Sequence, residues 1–293
     1  MKVIFHNDDF GLTYGFTEGI KESYLNKSTT STSIRTNGTA FNDATELLKT
    51  SLKKIGVGIH LNLTDGPCHT QELSTPSGKY KFSVFEYFMN LKKVNRKLLS
   101  LIESELKEQF KICFKFGLPI DHVDGQDHVH MIPGIFEIIC KLCKKYDIKS
   151  IRLTRENLFF PKVSPIYYNA FRNMNFAKYL FLNYCTKENL SILHKYKMKT
   201  TSMFYGVLFS NFMEIEVIKA ALENAKKNNY EIIEILSHPA IIKSPKDKYY
   251  TSDFIANYSN SKNRSQELSA LKSKQLIDLI KKMNIEKATF ANI

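Results

Sequence analysis

The sequence predicts an α/β fold built from repeated strand–helix units. Apolar runs of strand length alternate with stretches of helical period along most of the 293 residues. Four of those runs end in carboxylate, imidazole or amide side chains, at the sheet edge where α/β folds bind ligands. With 43% hydrophobic residues there is ample material for a core. At this length an α/β barrel is routinely one unit, so a single domain over residues 1–293 is expected.

Strands are expected at residues 2–7, 31–36, 56–62, 120–124, 149–153, 200–205, 231–236 and 286–290. Helices are expected near 15–26, 42–50, 95–116, 133–146, 214–228 and 265–283. Val3-Ile4-Phe5 forms the first strand, and Gly11 assists the turn that closes it. Gly117-Leu118-Pro119 stops one long helix and Pro133 starts the next. The polar stretch from Tyr258 to Asn263 reads as a loop before the last helix. Residues 64–94 and 155–199 do not fit the repeat. The second stretch carries Phe159, Phe160, Tyr167, Tyr168, Phe171, Arg172, Phe176, Tyr179, Phe181 and Tyr184. An inserted helical pair with these rings in its core is expected, the alternative being a lid or a homodimer surface.

The chemistry concentrates where strands end. Asn7-Asp8-Asp9-Phe10-Gly11 puts two adjacent carboxylates at the exit of the first strand. Neighbouring carboxylates repel unless a cation or a shared proton relieves them, so the pair suggests a metal ligand beside a general base. The plainer alternative is a solvated turn with Asp8 or Asp9 as a helix N-cap. Three further runs end similarly, at His60-Leu61-Asn62, at Asp121 to His130, and at Ser237-His238-Pro239. One histidine at a strand end is commonly structural. Three such clusters beside a paired-aspartate turn make coincidence a poor explanation.

Asn-Asp-Asp-Phe-Gly-Leu, Gly-Ile-His-Leu-Asn-Leu-Thr-Asp-Gly, Asp-His-Val-Asp-Gly-Gln-Asp-His-Val-His-Met-Ile-Pro-Gly and Ser-His-Pro-Ala resemble, in order and spacing, the motifs of YdjC-like carbohydrate deacetylases, which include chitooligosaccharide deacetylases. The resemblance runs from about residue 2 to about residue 290. It implies a deformed, TIM-like (β/α) barrel, a divalent cation such as Mg2+ or Zn2+, and hydrolysis of an N-acetyl group from an amino sugar or N-acetylated oligosaccharide. Asp8 or Asp9 matches the catalytic aspartate and its metal-binding neighbour, His60 a metal-binding histidine, and His238 the late His-Pro motif. On that basis Asp9 and His60 would hold the cation, Asp8 would be the general base and His238 the general acid. Asp124 would orient an imidazole, with Asn62 also held for orientation or substrate contact. Arg152 and Arg155 would meet substrate hydroxyls or a carboxylate, or else form surface pairs.

The chain departs from the family pattern at Gln126, where the resemblance implies a second metal-binding histidine. An amide oxygen is a harder and weaker donor than imidazole, so the site should lose zinc affinity and favour oxygen-loving ions. Asp127, His128 or His130 would be the replacement ligand. The alternative is a catalytically weakened, sugar-binding relative. His6 is a second departure, adding an imidazole before the aspartate pair.

The balance of 42 Lys and Arg against 29 Asp and Glu gives a net charge of +13. The lysines are spread over predicted helices, as in Lys92-Lys93, Lys144-Lys145, Lys226-Lys227 and Lys281-Lys282, so solvated faces are expected rather than nucleic-acid binding. No apolar run approaches the roughly 20 residues that span a bilayer, and the first strand turns polar too soon for a signal peptide. A cytoplasmic location is expected. The five cysteines, an odd number, fit a reducing compartment. Cys140 and Cys143 fall at helical spacing and read as buried thiols, not as a redox or zinc pair.

Overall fold

A computed structural model of the chain describes residues 1–93, 95–162, 168, 170–172, 174–249 and 253–293. The strands are β1 (Lys2–Phe10), β2 (Ser31–Ile34), β3 (Gly56–Leu61), β4 (Ile120–Gly125), β5 (Ser150–Ile151), β6 (Met203–Tyr205), β7 (Ile232–Ser237) and β8 (Glu286–Lys287). They form one parallel sheet in the order β5-β4-β3-β2-β1-β7-β6, with β8 paired to the start of β1. The sheet curls until its edges meet. Ile151 N–H donates to the Lys199 carbonyl at 2.9 Å, and Phe204 N–H to the Arg155 carbonyl at 2.9 Å. This is the deformed α/β barrel that the sequence predicts.

Around it lie α1 (Tyr14–Leu25), α2 (Phe41–Thr50), α3 (Val84–Leu91), α4 (Arg96–Lys115), α5 (Pro133–Lys145), α6 (Asn175–Tyr196), α7 (Ile215–Lys227), α8 (Asp253–Ser259), α9 (Lys262–Lys272) and α10 (Lys274–Lys282). The strands alternate between two environments, as the period of 2 requires. Val3 and Phe5 of β1 pack outward with Val217 and Leu222 of α7, and Ile59 and Val123 pack with Phe110 of α4. The inward positions are polar. His6, Ser33, His60, Asp124, Arg152 and Glu234 are all buried and bonded to one another across the barrel. Parallel strands covered on both faces usually read as continuous apolar runs. Here the inner face is polar because the barrel interior continues into the candidate site.

Several expectations shift on the structure. The helix expected at 265–283 is two, because Ser273 turns extended (ψ 143°) and its hydroxyl caps Leu276 N–H at 3.2 Å. The stretch expected as a loop at 258–263 instead ends α8 and starts α9. Within 64–94, α3 starts with a reciprocal Ser83–Glu86 capping box. Within 155–199, α6 docks on α5 and on the turn before it, where Asn189 Nδ2 donates to the Met131 carbonyl at 2.8 Å. Phe181 of α6 meets Phe88 edge-on at 4.9 Å, and Phe159 is buried with Tyr205 and Phe209. Tyr184 is exposed, and Tyr167 lies outside the described residues. Cys140 and Cys143 are free, buried thiols on α5, as expected, and the lysine pairs are exposed, Lys92-Lys93 just beyond α3 and the others on helices.

Candidate active site

In a regular strand Asp8 and Asp9 would face opposite sides. The β1–β2 register shifts between Asn7 and Phe10, and Asp9 takes a left-handed backbone (φ 71°), a conformation that Asp tolerates better than most residues. The bulge re-aims Asp9, so both carboxylates turn toward one centre. Both are buried, and the following helix is capped by Thr13. The solvated, N-capping role for the pair is therefore excluded.

Asp8 belongs to a cluster organised by Arg152. The guanidinium grips Asp8 with two bonds of 2.9 and 2.7 Å, and reaches Asp124 Oδ2 at 2.9 Å and Glu234 Oε1 at 2.9 Å. Arg152 is fully buried, so it forms neither a surface pair nor an open substrate contact. His6 Nε2 lies 3.2 Å from Asp8 Oδ1 and 3.3 Å from Asp124 Oδ2. His60 Nδ1 lies 2.7 Å from Asp124 Oδ1. Burial pushes the Asp8 and Asp124 pKa values up, but Arg152, His60 and His6 together outweigh it and hold both well below the ordinary carboxylate range. Burial opposes a charge on His60, yet Asp8 and Asp124 raise its pKa to about 9.

Asp9 belongs to a second cluster around Arg35, at the end of β2. Arg35 Nη1 donates to Asp9 Oδ1 at 3.3 Å and to Gln126 Oε1 at 3.2 Å, and the same guanidinium pairs with Asp65. The other Asp9 oxygen accepts from Tyr258 Oη at 2.7 Å. His60 Nε2 is 3.1 Å from Gln126 Oε1 and 3.9 Å from Asp9 Oδ1. Asp9, His60 and Gln126, the ligand set expected from sequence, thus converge, but with a buried guanidinium bonded to two of the three. That arrangement does not fit a divalent cation. Two His/Asp groups, Asp8–His60–Asp124 and His6–His122–Asp124, do have donor atoms within 4.8 Å of one another and could hold an ion. Their shared Asp124 already faces Arg152.

His238 follows β7, with its side chain 12% exposed and Nε2 3.9 Å from Asp8 Oδ2. Its backbone N–H donates to Glu267 at 2.6 Å. Burial and then Arg264 push its pKa down to about 4, so the ring is neutral at pH 7. Asp127 and His128 have left-handed backbone in the turn after β4. Asp127 pairs with Lys178 of α6 at 3.3 Å, while His128 packs edge-on against Phe204. Burial, and then the charge of Arg152, lowers the His130 pKa to about 3. Neither His128 nor His130 belongs to the groups able to hold an ion. Asn62 Oδ1 accepts from Thr64 and Asp65 N–H groups, shaping the loop that presents Asp65. Arg155 bonds the Ser202 carbonyl at the barrel seam, away from the centre. A cavity of about 600 Å³ adjoins the centre, walled by Phe85, Phe181 and Phe254 and by Asp65, Asp127 and Lys178.

Arg35, Asp65, Glu234 and Tyr258 were not expected from sequence. Glu234 carried a signal, a lone acid inside Ile-Ile-Glu-Ile-Leu. Arg35 ends an ordinary small strand, and Tyr258 comes from a helix far along the chain.

The family model described as YdjC-like protein matches residues 2–282. A carbohydrate deacetylase of Clostridium beijerinckii is 27% identical over 295 residues, with 100% of both chains covered. One from Vibrio cholerae serotype O1 is 26% identical, covering 98% of this chain and 94% of its own. A crystal structure of a "putative cellobiose-phosphate cleavage protein" from Enterococcus faecalis V583 has a TM-score of 0.74 at 22% identity, covering 99% of this chain and 98% of that one. That likeness shows the shared fold. Because the family match runs from the first strand to the last helix, the chain belongs to the YdjC-like protein family.

Proposed function

We propose that this chain is a hydrolase that removes the acetyl group from the nitrogen of an amino sugar, alone or within an oligosaccharide. The observation that carries the reading is full-length similarity to relatives named carbohydrate deacetylases. The geometry supports it with a neutral imidazole, His238, next to a carboxylate kept ionised, Asp8. Arg152 makes Asp8 a weak base, so His238 is the better proton acceptor. Water attacks the acetyl carbonyl carbon and gives its proton to His238, and Asp8 stabilises the imidazolium as it forms. The C–N bond then breaks, and the departing nitrogen takes that proton. Acetate and a free amine result.

The adjoining cavity supports a sugar substrate. Phe85, Phe181 and Phe254 offer aromatic faces, while Asp65, Asp127 and Lys178 offer hydrogen bonds. The expected metal ligands Asp9, His60 and Gln126 do not fit a cation, because Arg35 is bonded to two of them. The free cysteines support a reducing, cytoplasmic setting. Among the described residues, no helix is long and apolar enough to cross a membrane.

Acetate release from N-acetylglucosamine and its short oligomers tests the reading. Turnover is expected for the wild type, with a loss of roughly 10² to 10⁴-fold in His238→Asn. No acetate from any N-acetylated amino sugar, or equal rates in the two proteins, would overturn it.

A further inference from the structure

We infer that Arg35 is a built-in replacement for the divalent cation, so that the centre formed by Asp9, His60 and Gln126 takes no metal. The inference rests on the proposed hydrolase only for its functional meaning; its evidence is the arrangement of donors. A metal site needs ligand lone pairs directed at a common point and free of other donors. Here one nitrogen of Arg35 lies 3.3 Å from Asp9 Oδ1 and 3.2 Å from Gln126 Oε1. Tyr258 occupies the second Asp9 oxygen at 2.7 Å. The third candidate, His60, has Nε2 at 3.1 Å from the same Gln126 oxygen and Nδ1 at 2.7 Å from Asp124. An ion entering between these groups would have to expel a guanidinium that is 0% exposed and also paired with Asp65.

Arg35 and Gln126 explain each other. An amide at position 126 offers a carbonyl oxygen, which accepts from Arg35; a protonated imidazole could not accept, and a neutral one would offer a nitrogen at a different angle. Arg35 in turn supplies the positive charge that Asp9 requires when it is withdrawn from water, and it also pairs with the partly exposed Asp65. The other acidic groups are served in the same way. Arg152 holds Asp8 with two bonds and reaches Asp124, so the groups Asp8–His60–Asp124 and His6–His122–Asp124 also share a carboxylate with an internal cation. The pattern is one of fixed guanidinium charge in place of an exchangeable ion.

The test is titration of the chelator-treated full chain with Zn2+, Mg2+ and Mn2+, with bound metal measured by elemental analysis and calorimetry. The wild type should bind none of the three at a stoichiometric site. The double variant R35M/Q126H, which removes the guanidinium with an unbranched neutral chain and adds an imidazole, should gain one equivalent, with Zn2+ affinity rising by roughly 100-fold or more. One tightly bound equivalent in the wild type, lost in Asp9→Asn or Asp124→Asn, would overturn the inference. So would a folded double variant that binds nothing. The wild-type titration decides the matter even if the double variant does not fold. Acetate release with excess chelator separates this inference from the hydrolase reading. Absence of turnover alongside the expected binding pattern would sink the hydrolase and leave the cation replacement standing.

Discussion

Arg152 sits inside the barrel, with Asp8, Asp124 and Glu234 brought to it by three strands, whereas Arg35 stands at the rim, shared by Asp9 of a bulge, Asp65 of a loop and Gln126 of a turn. Both arginines are fully buried and both neutralise aspartates. The carboxylates of the inner cluster lie on β1, β4 and β7, where side-chain direction largely follows strand period. The rim cluster depends on irregular backbone, with positive φ at Asp9 and at Asp127. Function on a barrel is set by rim segments that a rigid sheet positions. A residue change at the rim, such as Gln126, can therefore be matched by another without disturbing the strands beneath.

The largest test of this contrast is Arg152→Met. It would leave three carboxylates in the barrel without their shared cation, and losing one partner of a buried ionic cluster typically costs about 3–5 kcal/mol. Urea unfolding should show that loss. Arg35→Met should cost less, since Gln126 is neutral and Asp65 is 13% exposed, where water can reach it. Equal losses would mean that rim and interior are one electrostatic unit.

Asp8→Asn probes whether the inner cluster also serves the reaction. The proposed role of Asp8 is to stabilise the imidazolium of His238, so turnover should fall by roughly 10²-fold or more, with fold retained by circular dichroism. Asp9→Asn, on the rim, should lose much less turnover. A reversed order of the two variants in acetate release would transfer the chemistry to the rim.

The two histidines make opposite pH demands. His60, with its pKa raised to about 9, contributes stability that is fully present below an unfolded value near 6.5 and is lost as pH rises through about 9. His238, lowered to about 4, disfavours its charged form, so its contribution is lost as pH falls from about 6.5 through 4. Turnover should disappear only as pH falls through about 4, because a protonated His238 cannot accept a proton. Unfolding free energy measured from pH 4 to 10 should fall at both ends. His60→Gln should remove the alkaline limb alone; its persistence would assign that limb to another group.

The barrel was legible because its strands are bounded by clear turns and its helices carry ordinary start and stop signals, such as Pro133 at the first turn of α5 and Gly117 at φ 69° after α4. Asp8, Asp9, His60, Asp124, Gln126 and His238 were legible as candidates because strand ends collect at one edge. Arg35 was not: Ser-Thr-Ser-Ile-Arg gives no sign whether its long side chain turns outward to water or inward to Asp9. Tyr258 was read as loop, and its contact with Asp9 spans 249 positions. Such partners are set by how the helices pack, which no local pattern encodes. Arg155 shows the converse, a charged residue beside the site in sequence that the barrel seam consumes.

The smallest expected effect concerns the mouth of the cavity, where Lys178 of α6 pairs with Asp127 at 3.3 Å. Both side chains are more than a third exposed, so solvent screens the pair and Lys178→Ala should change stability by less than about 1 kcal/mol. Its consequence should fall on binding instead. Lys178 and Asp127 line the cavity together, and removing the ammonium withdraws one hydrogen-bond donor from whatever occupies it. KM for an N-acetylated oligosaccharide should rise a few-fold while kcat stays within about twofold, the pattern expected when an interaction is made equally in ground and transition states. The comparison of rim and interior is sharpened by pairing this variant with Glu234→Gln, which alters the Arg152 cluster and should leave KM unchanged while lowering stability. A fall in kcat for Lys178→Ala with KM unmoved would show that α6 contributes to the chemical step, and that the rim is more than a site of recognition.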